Sequence, residues 1–259
     1  MIDDFIEILY VDGFKLNCIK NDTAITAYAK KNKIWEDWLE KYIKEAYVEN
    51  TNMIDVGANI GTFSLMMSKY ISENSHIYAF EPVYSEIFDM NVKQNDLEDK
   101  IKVYPIGLSD KNEKLQGGTI DFSIIANYGF TQIDNLKKSD DSTKLIIEVQ
   151  KLDDLNIDNV SFIKIDVEGS ERKVLDGAIN TILKNKPTIL IEIWCTSKNS
   201  IKKYGNVTNL PEIKKNFDVF EFLFNLGYIC IPVSPVSDDF LFVHYTKKDL
   251  LNRIIGILN

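Results

Sequence analysis

The stretch MIDVGANIG, residues 53–61, sets an acid and two glycines, Asp55, Gly57 and Gly61, at the end of an apolar run. A carboxylate, a glycine turn and a following helix make a loop suited to a small charged ligand. A dinucleotide fingerprint of the G-x-G-x-x-G kind would begin at Gly57, but its second and third glycine places hold Asn59 and Thr62. A side chain at the second place obstructs the approach of backbone to a pyrophosphate. Asp55 would also bring negative charge beside two phosphates. A cationic, zwitterionic ligand fits better, and S-adenosylmethionine is one: it has an ammonium, a carboxylate and a sulfonium, and no phosphate. Asp55 would meet the ammonium directly or through water. The helix opening near Gly61 and Thr62 would offer free N–H groups to the carboxylate, and Gly57 would let the chain turn close to the ligand. A plain strand–helix turn is the alternative for this loop taken alone. The next apolar run, HIYAFEP, ends in Glu81. An acid about 20 residues beyond the glycines is the expected partner of ribose hydroxyls, so the two acids together point to an adenosyl ligand.

More acids close two later runs. FIKIDVEG ends in Asp166 and Glu168, with Glu171 just beyond, and TILIEIW carries Glu192. Alternation along the first of these puts Lys164 and Asp166 on one face. A lysine in a buried strand needs a partner, and Glu192 is the expected one. Such acids act as general bases, hold a divalent metal through oxygen, or serve the fold alone. His244, in the last apolar run, is a strand histidine or a group reaching a substrate from the edge. His76 precedes its run and is structural. Trp35, Trp38 and Trp194 read as core or rim residues ahead of sugar-stacking platforms, and Trp194 is the one best placed to stack on a sugar. NYGFT, Asn127 to Thr131, is a substrate-facing turn or a plain one.

The elements that must position these residues follow from the pattern. From about residue 50, the apolar runs NMIDVG, HIYAFEP, KVYPIG, FIKIDVEG and TILIEIW alternate with amphipathic stretches. Nearly continuous apolar runs are expected of parallel strands buried on both faces, and the alternation predicts a parallel α/β sheet. The helical stretches are TFSLMMSKYI, SEIFDMNVKQND, SERKVLDGAINTILKN and a segment near Ile213–Asn225 that Gly227 terminates. YICIPV and DDFLFVHY then read as a hairpin. Residues 1–50 form an extension packed on the core: a β-like start (FKLNCIK, TAITAYAK) and a helix from Ile34 to Ala46. Residues 51–259 form the ligand-binding domain, and 111–146, a polar excursion, is a substrate loop or lid.

The chain has 259 residues, enough for a substantial core. Its formal charge of −9 argues against nonspecific nucleic-acid binding, which needs clustered Lys and Arg. No apolar run approaches the ~18 residues of a membrane helix. The acidic N-terminus lacks the signature of a signal peptide. Cys18, Cys195 and Cys230 form no zinc or disulfide pattern, which suits a reducing, cytoplasmic setting.

IDVGANIGTFS, AFEPV, GLSD after the third run, NYGFT, LDDL, IKIDVEGSERKVLDGA and ILIEIW, in that order over roughly residues 50–245, resemble the FkbM-type family of class I, S-adenosylmethionine-dependent methyltransferases. The resemblance implies a Rossmann-like, mostly parallel seven-stranded sheet with a reversed last strand. It also implies O-methylation, commonly of a sugar or natural-product hydroxyl. Carried over by position, Asp55, Gly57, Ala58, Asn59, Gly61 and Glu81 match the cofactor motifs, and Val83, Gly107 and Leu108 fall near the adenine. Asp166, Glu168, Glu192 and Lys164 are the candidate catalytic residues. Magnesium at Asp166 and Glu192 is suggested by other class I O-methyltransferases. The expected partner is a small-molecule or glycan acceptor. A protein or nucleic-acid methyltransferase, or a nonenzymatic S-adenosylmethionine-binding assembly module, is the rival reading, and a homo-oligomer is compatible with either.

Overall fold

The computed structural model describes residues 5–10, 12–32, 37–116, 146–193, 210–234 and 237–258. Trp35, Trp194, Cys195 and the NYGFT turn lie outside them.

The chain opens with an antiparallel hairpin, β1 (Phe5–Leu9) and β2 (Lys15–Ile19). The TAITAYAK stretch, expected to be β-like, instead forms helix α1 (Ile25–Asn32). The cause is local. The Asp22 carboxylate accepts the backbone N–H groups of Ala24 and Thr26, at 3.2 and 2.6 Å, and so satisfies donors left open at a helix start. Ile25 and Ala29, one turn apart, are then buried together. Helix α2 (Asp37–Ala46) follows and occupies most of the span predicted from Ile34.

The alternating part begins with β3 (Asn52–Val56), α3 (Thr62–Met67), β4 (Ile77–Phe80), α4 (Ser85–Lys93) and β5 (Ile101–Tyr104). Three short strands come next: β6 (Gly107–Leu108), β7 (Glu113–Gln116) and β8 (Ile146–Gln150). They form a small separate sheet in the order β6-β8-β7. The polar excursion 111–146 is therefore framed by strands at both ends.

Next come β9 (Val160–Ile165) and the pair α5 (Glu171–Asp176) and α6 (Ile179–Asn185), where one continuous helix was expected. The break falls at Gly177. A Cβ there would lie 2.0 Å from the Ser109 carbonyl oxygen, so only glycine admits the close approach of the β6 region. Asp153, in the LDDL run, caps the second piece: its carboxylate accepts the N–H groups of Asn180 and Thr181 and the Thr181 hydroxyl, all within 2.9 Å. The chain ends with β10 (Thr188–Glu192), α7 (Leu210–Asn225), β11 (Tyr228–Pro232), β12 (Asp239–His244) and α8 (Lys248–Leu258).

The main sheet has seven strands in the order β11-β12-β10-β9-β3-β4-β5. β12 is antiparallel to both neighbours, β10 and β11, while the other neighbouring pairs are parallel. The predicted hairpin is thus inserted with its second strand inside and its first at the edge. Alternation along the strands divides the core in two. Met53, Phe162 and Leu241 face one side, with Leu16 and Ile43 of the N-terminal segment; Ile54, Ile163 and Phe242 face the other. No described helix is long and apolar enough to cross a membrane.

Candidate active site

In an open α/β sheet, ligands bind outside the carboxyl ends of the strands, where the strand order reverses. Here that point is between β3 and β9. A shallow, mostly apolar cleft opens beside it, lined by Gly57, Phe80, Pro82, Leu108, Val149 and Val167 among others. Gly107 also lines it, whereas Val83 packs against the first core and is not part of the lining. The wall contributed by Leu108 and Val149 comes from the small β6-β8-β7 sheet, which the sequence reading did not foresee.

The glycine loop is shaped by its neighbours. Gly57 has φ 77°, and a Cβ on it would sit 1.8 Å from the Asp166 carbonyl oxygen. Gly61 has φ 93°, and its Cβ would enter the Phe88 ring. Asn59, also left-handed at φ 52°, is a residue type that tolerates this region. The N–H groups of Gly57 and Ala58 both donate to the Phe80 carbonyl, fastening the loop to the end of β4.

Asp55 is fully buried. The Ser64 hydroxyl donates to its Oδ2 at 2.6 Å, while its Oδ1 accepts no hydrogen bond and has the Lys164 ammonium at 3.7 Å. Burial pushes this carboxyl above its usual range, against the pull of Lys164 and Ser64. Lys164 is the charged neighbour of Oδ1, within ion-pair distance though beyond hydrogen-bond range. Glu81, 6% exposed, accepts the N–H groups of Val83 and Tyr84 on Oε1 and that of Asn59 on Oε2. Burial raises its pKa and the three N–H donors oppose the rise. An ionised carboxylate has about four acceptor sites, so capacity remains on Oε2 for a ribose hydroxyl. The loop, the cleft and Glu81 therefore fit an adenosyl group.

Across the switch point, β9 carries Lys164, which faces Asp55 in register. The expectation that Glu192 is its nearest partner is not met. The ammonium lies 3.1 Å from Asp166 Oδ2 and 3.7 Å from Asp55 Oδ1, because β3 and the strand's own end are closer than the tip of β10. Beyond β9, Glu168 at φ 55° and Gly169 at φ 102° turn the chain outward, and the buried Glu171 accepts the Gly169 N–H at 2.7 Å.

Asp166, Glu168 and Glu192 each offer an oxygen within 4.8 Å of the others. Glu192 hydrogen-bonds Asp166, and burial, Asp166 and Asp239 hold its carboxyl well above the ordinary range. Asp239 stands directly opposite Glu192 on β12 and is pushed up to about 6 by burial and Asp166. It is the acid that sequence reasoning missed. Its signal was the DD pair before the last strand, which joins the site only because β12 runs in reverse. The same reversal carries His244 to the opposite end of the sheet, past Ile189 and away from the acids, where Nδ1 meets the Thr246 hydroxyl at 2.8 Å. His244 is a satisfied strand residue. Trp38 packs half-buried on the first core.

The strand order, the single reversed strand and the cleft at the switch point define a Rossmann-like fold of the class I methyltransferase type. The sequence matches the methyltransferase FkbM domain over residues 55–230, and the chain belongs to that family of methyltransferases. It is 25% identical over 179 residues to methyltransferase sdnD of Sordaria araneosa, spanning 56% of this chain and 67% of that one. Among solved structures it is similar to a methyltransferase FkbM from Methylobacillus flagellatus KT (17% identity, TM-score 0.47), with 84% of this chain covered and 57% of the other. The chain thus spans little more than half the length of that protein. A Corynebacterium glutamicum protein shares the fold at 8% identity and TM-score 0.51, over 85% of this chain and 86% of its own.

Proposed function

We propose that the chain is an S-adenosylmethionine-dependent O-methyltransferase acting on a hydroxyl of a sugar, glycan or other small molecule. The observation that carries the reading is the adjacency of two half-sites. Glu81, buried with acceptor capacity left, lies beside an apolar cleft, and the hydrogen-bonded Asp166 and Glu192 stand on the strands across the switch point.

Glu81 would hold the ribose hydroxyls, Asp55 the ammonium end of the ligand, and Leu108 with Val83 and Gly107 the adenine. When bound, S-adenosylmethionine supplies the methyl carbon: the acceptor oxygen bonds to it as the carbon–sulfur bond breaks and the electron pair returns to sulfur. The acceptor proton must leave, and a sugar hydroxyl is too weak an acid to lose it unaided. Asp166 and Glu192 are the bases placed to take it. Burial and the neighbouring Asp166 and Asp239 raise the proton affinity of Glu192, which makes its carboxylate the stronger base. Glu168 would orient the acceptor at the rim. The fit of three carboxylate oxygens within 4.8 Å supports a second reading, in which Asp166, Glu168 and Glu192 hold a magnesium ion that lowers the hydroxyl pKa.

The test is methyl transfer from labelled S-adenosylmethionine to a panel of nucleotide sugars and oligosaccharides, with and without a strong chelator. Label in a sugar hydroxyl supports the reading; label only in protein or nucleic acid offered alongside contradicts it. Full activity after chelation eliminates the magnesium version.

A further inference from the structure

Lys164 is a lysine in the middle of a parallel sheet, 8% exposed, and it touches both half-sites at once. An ammonium has three donors. Around this one stand Asp166 Oδ2 at 3.1 Å, the Gly57 carbonyl at 3.4 Å and Asp55 Oδ1 at 3.7 Å. The first belongs to the acceptor side, and the other two belong to the cofactor loop. Phe63, on the first turn of α3, covers the ammonium, with its ring centre 5.5 Å away. The charge also acts on Glu81 and on Asp239, one beyond each flank. The side chain is shielded from solvent, so its field is shared among these groups rather than screened by water.

We propose that Lys164 is a positioning residue that couples the two half-sites, because the Asp166 carboxylate and the cofactor loop share its one ammonium. The ammonium is divided between Asp166 and Asp55. Where the Asp166 carboxylate is replaced by an amide, the ammonium turns to Asp55 and the Gly57 carbonyl, and Asp55 offers less negative field to the ammonium end of the ligand. Coupling of this kind is reciprocal: an occupied loop would in turn bias Lys164 toward Asp166. The inference rests on the proposed S-adenosylmethionine site.

Calorimetric titration with S-adenosylhomocysteine separates the possibilities. Asp166→Asn is expected to weaken binding about fivefold, within the usual range of coupling between sites. In a Lys164→Gln background the same substitution should change affinity less than about twofold. An Asp166→Asn effect of equal size in both backgrounds means direct contact with the ligand and overturns the proposal, as does no effect in the Lys164 protein. If Lys164→Gln fails to fold, Asp55→Asn provides the second background: the effect of Asp166→Asn should vanish there, and simple multiplication of the two losses overturns the coupling. Absence of binding by the unmodified protein would sink the cofactor reading itself, and is thereby distinguished.

Discussion

Glu81 shows how one carboxylate serves both fold and ligand. Three backbone N–H groups tie it to the glycine loop and to the turn before α4. Glu81→Ala should therefore weaken S-adenosylhomocysteine binding at least about tenfold, since a charged hydrogen bond contributes roughly 1.5–3 kcal/mol. It should also lower unfolding free energy by about 1–3 kcal/mol through the orphaned N–H groups. Unchanged affinity in calorimetry would show that the ribose lies elsewhere. Asp239 makes a prediction of the opposite sign. Its folded pKa, about 6, is raised above the usual 3.8, so the neutral form is favoured in the fold. Its contribution is full below the unfolded value and is lost as pH rises through the folded one. Asp239→Asn should then stabilise the protein above about pH 6, by up to about 3 kcal/mol, with the difference vanishing toward about pH 4. Urea midpoints in metal-free buffer at the two ends of that range check it; a variant less stable at the higher pH contradicts it. Asp55, Glu81, Asp166 and Glu192 were legible because an acid closing an apolar run is out of place. Asp239 was not, since nothing in DDFLFVHY says beside which strand it lands.

At the scale of elements, the N-terminal hairpin is fastened to the site through one buried side chain. Asn91 of α4 accepts the Asn17 N–H at 2.7 Å and donates to the carbonyls of Asn17 and Ile60, at 3.2 and 2.8 Å. Asn91→Ala should cost about 2–4 kcal/mol, because buried partners are left unpaired. Backbone amides at β2 and at Gly61, whose N–H bonds Ala58, should exchange faster together. Faster exchange in β2 alone would mean that the hairpin does not support the loop. The five main parallel strands were readable from their continuous apolar runs. TAITAYAK was not, because Asp22 capping outweighs an apolar alternation too short to fix a period. The α5–α6 break depends on Ser109, far away in sequence, and β6 to β8 depend on pairing that short polar strands do not advertise.

For the whole molecule, the order of the strands determines which residues meet. Reversal of the order between β3 and β9 brings the loop of one half beside the acids of the other, and insertion of β12 adds Asp239 while removing His244. This assembly was legible as a class of fold; its inner geometry was not, because Lys164 chose partners by distance in three dimensions. The central claim is that the cleft beside Gly57 and Leu108 holds an adenosyl ligand between Glu81 and the acids of β9 and β10. A crystal structure grown with saturating S-adenosylhomocysteine tests it most directly. The account predicts ribose hydroxyls within hydrogen-bond distance of Glu81, adenine against Leu108, and sulfur turned toward Asp166 and Glu192. A vacant cleft, or an adenosyl group bound away from Glu81, would contradict it.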